Sequence, residues 1–485
     1  MVNSLLEQTA GTYKRWLQWA TLGLVCMVAT EASAEAWFEK LKASGNDKAL
    51  YEMLYAMPKG GDLHHHLSGS AFSDWWYSLA LAEAERGYRY YTKVRINNCR
   101  AYGENAYSFQ PYHLLFQNIS SAQFDGLAEC EKAEYKRLEE LNAEEKAAWL
   151  DSIRLDKPHE GRDEFFQTHW SRLGALLANP YLLSELLVRN MQAYRDEGLT
   201  YLETMVETRG FTRADGTPLT PDEVVEVYRQ RLQQKDARAT GVTVRLHDFV
   251  LRFLSNAEQQ VIDSHGLVYR NRDIMVGVNM VGREDNAFGH PLRFNNAFRE
   301  ARKRYPNVRL AIHAGEVDEP NTHVRDTLAL GADRIGHGLN LITDRDLLRQ
   351  MRHGPYLVEI NLISNLLLDY YQNFDEHPFP EYLRLGIPVA LSTDDRGMWD
   401  SNYTDEFFAA VKSYNLSWEE VKLLSRNSIA YGFVEDDIKR KLLADFDKRI
   451  AKFEKRAARQ SFADFERAGK AKSYGFTCRQ FKLCL

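Results

Sequence analysis

Cysteine is scarce in this chain of 485 residues: there are five, and none has the paired spacing of a structural zinc site. A fold stapled by such a site is thereby excluded. An excess of basic charge is missing as well. The net charge of −6 leaves no electrostatic footprint for nucleic acid, and a small or neutral ligand fits better. No internal repeat or low-complexity tract is present. The apolar run Trp16–Ala29 is too short to span a bilayer comfortably.

That run is informative in its setting. Lys14 and Arg15 precede it and Ala32-Ser33-Ala34 follows, in the order of a secretory signal. Cleavage after Ala34 is expected, giving an exported mature protein, periplasmic or secreted, with no stable membrane insertion. Cys26 follows no small residue, which argues against lipoprotein processing. Four cysteines remain: Cys99, Cys130, Cys478 and Cys484. They allow three connectivities, of which locality favours Cys99–Cys130 and Cys478–Cys484.

Length permits one large α/β barrel with additions, or two to three ordinary domains. Glu35–Ala56 reads as helical, with Trp37, Leu41, Leu50 and Leu54 as apolar contacts. Residues from about 74 to 158 change in character, being rich in tyrosine and charge, and read as an inserted subdomain. From Glu164 onward, short runs rich in β-branched residues alternate with helical stretches. The runs are Leu199–Val206, Val242–Leu254, Asp273–Val281, Val308–His313, Arg334–Leu339, Leu357–Ile363 and Ile387–Ser392. The histidine stretch Leu63-His64-His65-His66-Leu67, read as a strand, makes the eighth. The pattern predicts a (β/α)₈ TIM-type barrel over 57–434, with the insertion after its first strand. A helical segment, 35–56, precedes the barrel. A charged helical extension, 435–485, follows and is expected on the surface.

In such a barrel, catalytic groups belong at the C-terminal ends of the strands. On the first run, alternation turns His64 and His66 to one face and His65 to the other. The fifth run ends in His313-Ala-Gly-Glu316, the sixth in Gly336-His-Gly338, and the eighth in Ser392-Thr-Asp-Asp395. Singly, His313 reads equally as a core histidine, Glu316 as a helix N-terminal charge, and Asp394-Asp395 as a cap. Jointly, three imidazoles and a carboxylate converging on one mouth form a metal constellation suited to Zn²⁺.

These motifs, together with Val278-Asn-Met-Val-Gly-Arg-Glu284, Val358-Glu-Ile-Asn-Leu-Ile-Ser-Asn365 and Leu424-Ser-Arg-Asn-Ser-Ile-Ala-Tyr-Gly-Phe433, resemble the adenosine deaminase family of the amidohydrolase superfamily. The Met57-Pro-Lys-Gly-Gly opening, the cysteine-bearing insertion and the signal resemble its secreted, growth-factor-related branch. The resemblance implies one zinc ion per chain on His64, His66, His313 and Asp394. It makes His337 the base that takes the water proton and Glu316 the acid that protonates purine N1. Asp395 would then bind N7 and the Gly282 N–H would bind N3. The implied reaction is hydrolysis of adenosine, and of 2′-deoxyadenosine, to inosine or its deoxy form plus ammonia. A dimer contact through Glu35–Ala56 and the insertion is a further implication. The His-x-Glu and Pro-Cys-x-x-Cys signature of the other zinc deaminases is absent.

One position departs from the family. Two residues after the second metal histidine, where the family carries an aspartate that holds the ribose 5′-hydroxyl, this chain has Ser68. Adenine or another 6-aminopurine is therefore a competing substrate. Asn279 and Asn361 also replace commoner family residues and read as packing or supporting changes. A non-catalytic protein binding a receptor or glycan on a deaminase scaffold is the remaining alternative. The intact set of metal, acid and base residues argues against it.

Overall fold

A computed structural model describes residues 36–100 and 112–485. The expected signal, 1–34, lies outside the described residues. No helix among those described is long and apolar enough to cross a membrane.

Eight parallel strands form the centre. They are β1 (Gly60–Asp62), β5 (Leu199–Met205), β6 (Thr243–Leu251), β7 (Met275–Val281), β8 (Arg309–Ala314), β9 (Arg334–His337), β10 (Leu357–Ile360) and β11 (Val389–Leu391), hydrogen-bonded in that order. Their burial is nearly continuous, as expected of parallel strands covered on both sides. A single bridge between His65 and Asp394 brings the two edges together, while one between His66 and Met205 extends the pairing of the first strand segment with β5. The barrel thus closes through the segments that carry candidate ligands.

The first run differs from expectation. Strand β1 stops at Asp62, and the three histidines lie beyond it. The buried Asp62 carboxylate takes hydrogen bonds from the His64 N–H at 3.2 Å, the Tyr194 hydroxyl at 2.8 Å and the Thr393 hydroxyl at 2.7 Å. These bonds turn the chain out of regular pairing. The alternation survives nonetheless, because His66 rejoins the barrel by donating its N–H to the Asp394 carbonyl at 3.1 Å.

The residues just before β1 have a packing reason. The buried Lys59 ammonium donates to the carbonyls of Leu54, Tyr55 and Glu197. Those carbonyls end the helices Asp47–Ala56 and Pro180–Asp196, where a cation also meets the negative ends of two helix dipoles. Gly60 has a positive φ of 75°, and a Cβ there would lie 2.0 Å from the Ser425 carbonyl oxygen. Only glycine lets β1 approach the helix Trp418–Ala430 so closely.

The segment expected as one helix over 35–56 is two. Residues 36–43 and Asp47–Ala56 are helical, broken at Gly45 and restarted by Asn46, whose side chain accepts the Ala49 N–H. Between β1 and β5 lies a small antiparallel sheet ordered β3-β2-β4, from β2 (Tyr90–Lys93), β3 (Asn118–Ser120) and β4 (Tyr135–Arg137). Cys99 and Cys130 are bridged beside it, and Cys478 pairs with Cys484 near the C-terminus. The helix Asp436–Ala457 buries only Phe446, Ile450, Phe453 and Ala457, as its charged sequence leads one to expect.

Candidate active site

Four ligand atoms converge at the C-terminal mouth of the barrel. His313 Nε2 lies 3.1 Å from His64 Nε2 and 3.2 Å from His66 Nε2. Asp394 Oδ1 lies 3.4 Å and 3.2 Å from the same two nitrogens. Taken together, the ligand atoms of these four residues fall within 4.8 Å of one another.

The surroundings orient the imidazoles. His64 Nδ1 lies 2.7 Å from Glu359, which is tied through Arg334 to Glu203 inside the barrel. His313 Nδ1 donates to Asn279 Oδ1 at 2.9 Å. With Nδ1 so engaged, each ring presents its Nε2 lone pair to the shared centre, the arrangement metal-ligating histidines adopt. Nitrogen lone pairs and a carboxylate oxygen crowded this closely repel one another unless a cation or proton lies between them. The donor set therefore fits a metal such as Zn²⁺. Burial alone would raise the Asp394 carboxyl, but hydrogen bonds to His64 and His66 outweigh it and hold it well below the usual range.

His65 points away, fully buried, with Nδ1 2.7 Å from the Thr204 hydroxyl and its ring against Tyr194. His337 lies beneath the ligands, its ring centroid 4.8 Å from that of His64 and 5.1 Å from that of His313. Its φ of 64°, and the 55° of Asp394, are left-handed values that non-glycine residues adopt at a cost, commonly at functional sites. Burial, reinforced by the charge of His64, pushes the His337 imidazole down to about 3, so the ring is neutral. The Asn365 amide nitrogen lies 2.9 Å from His337 Nδ1 and that of Asn361 3.3 Å. Asn279 and Asn361, which depart from the family pattern, thus both support site histidines.

Glu316, Asp395, Gly282 and Ser68 share one cavity of about 380 Å³ with His66, His313 and Asp394. Burial, helped by neighbouring acidic groups, raises the carboxyls of Glu316 and Asp395 well above the usual range. Asp395 Oδ1 is buried without a hydrogen-bond partner, and a Cβ on Gly69 would lie 1.6 Å from it. Glycine is needed there for Asp395 to point as it does. Gly282, at a φ of 96°, lies on the same wall. The cavity thus gathers His66, His313, Asp394 and the candidate substrate residues, and His337 Nε2 lies 3.7 Å from the Glu316 carboxyl.

Other contributors carried weaker sequence signals. Glu284, at the end of the Val278–Glu284 motif, accepts the N–H groups of Gly315 at 2.9 Å and Glu316 at 3.3 Å, fixing the turn that aims Glu316. Arg252 donates to the His313 carbonyl at 2.7 Å. Phe165, Phe166 and Trp170, on a wide helical turn after the insertion, wall the cavity with aromatic surface. Glu207, just beyond β5, also lines it. The paired aromatics were the available cue; nothing local distinguishes Glu207.

A parallel barrel with a His₃Asp cluster and two buried carboxyls at its C-terminal mouth defines a hydrolase of the amidohydrolase type. The family model described as "Adenosine deaminase" matches residues 133–449, and the chain belongs to that family. It is 27% identical over 254 residues to an adenosine deaminase of Clostridium acetobutylicum, covering 52% of this chain and 73% of that one. An adenine deaminase of Rhodopseudomonas palustris is 29% identical, with 53% and 72% covered. An N6-methyl-AMP deaminase of Bos taurus is 27% identical, with 51% and 71% covered. For several other adenosine deaminases the aligned stretch spans about half of the relative's length. Among solved structures, an amidohydrolase from Burkholderia ambifaria with bound Zn superposes with a TM-score of 0.62 at 18% identity, covering 85% of this chain and 95% of that one. An adenine deaminase from Arthrobacter aurescens gives 0.59 at 18% identity, with 81% and 99% covered. These structural likenesses concern the fold.

Proposed function

We propose that this chain is an exported, zinc-dependent deaminase that hydrolyses adenosine, and 2′-deoxyadenosine, to the inosine nucleoside and ammonia. The observation carrying this reading is that one cavity holds the His₃Asp cluster together with two buried carboxyls of raised pKa. His64, His66, His313 and Asp394 would hold one zinc ion. When bound, zinc lowers the pKa of a water toward ~7 and supplies hydroxide at neutral pH.

The chain's own residues account for the rest. A purine lying against the aromatic wall meets Glu316 in its acid form, which donates its proton to N1 and makes C6 electrophilic. Asp395, also protonated, donates to N7. The Gly282 N–H reaches N3. His337 takes the proton of the adding water, a role that needs its Nε2 lone pair. As placed, the Asn365 amide nitrogen faces Nδ1, which leaves the hydrogen on Nε2; turning the amide over makes its oxygen the acceptor of Nδ1–H and frees Nε2. Water adds at C6; the amino group takes the proton held by His337 and leaves as ammonia, and Glu316 recovers a proton from the C6 hydroxyl as the carbonyl forms.

Ser68, together with similarity to an adenine deaminase, favours a second reading in which the free base is the substrate. A purine panel followed by loss of absorbance, with metal analysis on the same sample, separates the two. No turnover of any 6-aminopurine by zinc-loaded protein would overturn both. Export rests on the Lys14–Ala34 pattern. Association through the N-terminal helices and the insertion, tested by sedimentation, is expected to give a homodimer.

A further inference from the structure

The cavity has one acidic group that the mechanism does not use. Glu207 follows β5, on the strand neighbouring β1 in the barrel. Its Oε1 accepts the Ser68 hydroxyl, and its Oε2 is buried without a hydrogen-bond partner. Both residues line the cavity that also holds His66 and Asp395. The remaining polar lining is acidic or neutral: among the described residues, no lysine or arginine lines this space.

An unsatisfied carboxylate oxygen beside an aromatic-walled cavity calls for a donor. A sugar hydroxyl supplies one. A phosphate dianion supplies none, and among the described residues no lysine or arginine lines the space beside Glu207 to pair with its charge. Ser68 spends its one donor on Glu207, which fixes the Glu207 carboxyl against it. We propose that Glu207, oriented by Ser68, determines specificity at the sugar end of the site, accepting a nucleoside hydroxyl and excluding nucleoside monophosphates. This inference rests on the purine-deaminase reading but is separable from it. It replaces the carboxylate missing at position 68 with one from a different strand, and it sets this chain apart from relatives named for N6-methyl-AMP.

The test compares wild type with Glu207→Gln and Ser68→Ala, all zinc-loaded. Adenosine, adenine and AMP serve both as substrates and as ligands in calorimetry. Wild type is expected to prefer adenosine to AMP by at least about a hundredfold. In Glu207→Gln, the ratio of kcat/KM for adenosine to that for adenine should fall roughly ten- to hundredfold, mainly through KM, as replacing the oxygen that meets the sugar hydroxyl by an amide NH2 does. Ser68→Ala is expected to show a smaller fall in the same direction. An unchanged ratio in Glu207→Gln, or AMP accepted as well as adenosine, would overturn the proposal. Should no purine be turned over, the function reading fails while calorimetry still decides this one. Tighter binding of adenosine than of AMP, weakened in Glu207→Gln, supports it; equal binding of the two sinks it.

Discussion

In the proposed reaction Glu316 and Asp395 donate only while protonated, and burial keeps both carboxyls in the acid form further up the pH scale than usual. The sign follows directly. Turnover should be sustained below the raised pKa of Glu316 and fall as pH rises through it, because ionised Glu316 has no proton to give. Glu316→Gln should retain its metal yet lose roughly 10²- to 10⁴-fold in kcat, since an amide cannot transfer a proton, and the alkaline limb due to Glu316 should vanish. A full rate in that variant would remove Glu316 from the chemistry. His313→Ala removes the nitrogen nearest to both His64 and His66. It is expected to abolish stoichiometric zinc in metal analysis, and full metal content would refute its role as a ligand.

At the scale of elements, two buried polar contacts hold the scaffold in register. Lys59 bridges two helix ends, and although burial pushes its ammonium down to about 7, its three carbonyl partners favour the charged form with its three donors. Lys59→Met would leave those carbonyls unpaired and should cost on the order of 3 kcal/mol in chemical unfolding. An unchanged midpoint and slope would argue that the caps contribute nothing. Glu284 clamps the turn at Gly315 and Glu316. Burial would raise its carboxyl, but Arg252 and His323 outweigh that and hold it down to about 2. A folded pKa below the ordinary 4.5 gives stability that is full above that value and lost as pH falls toward 2. Unfolding followed against pH should show Glu284→Gln flattened across this window relative to wild type.

At the scale of the molecule, the barrel's closing seam and the candidate metal cluster are one structure. His65 and Asp394 form the bridge that joins the barrel's edges, while their neighbours His64 and His66 and the Asp394 side chain supply ligand atoms. A cation bound to the folded chain alone stabilises it by mass action, by about 4 kcal/mol when present at a thousandfold excess over Kd. Chelation is therefore expected to lower Tm by several degrees, and restoring zinc to recover it; scans identical with and without chelator would contradict the assignment. Export is tested by the N-terminal residue of the mature protein, expected to be Glu35. Retention of Met1 would remove that proposal.

Much of the architecture was legible in the order of residues. Seven runs rich in β-branched residues and the histidine stretch, separated by helical stretches, specify a parallel barrel, because each crossover must return the chain to the same end of the sheet. That geometry brings His64, His66, His313 and Asp394 to one mouth whatever the detailed packing. It also explains why His65 could be assigned to the packing side even though β1 ends before the histidines begin. What only the tertiary structure decided are contacts across the barrel between residues with no shared local pattern. Glu207 meets Ser68 across a separation of 139 positions, and Lys59 meets the Glu197 carbonyl across 138. Such pairings depend on strand stagger and on where turns aim a side chain, quantities that hydrophobic periodicity does not encode. The candidate ligands, acid and base were thus written along the chain, while the contacts proposed to choose the substrate arise from the folded arrangement of its strands.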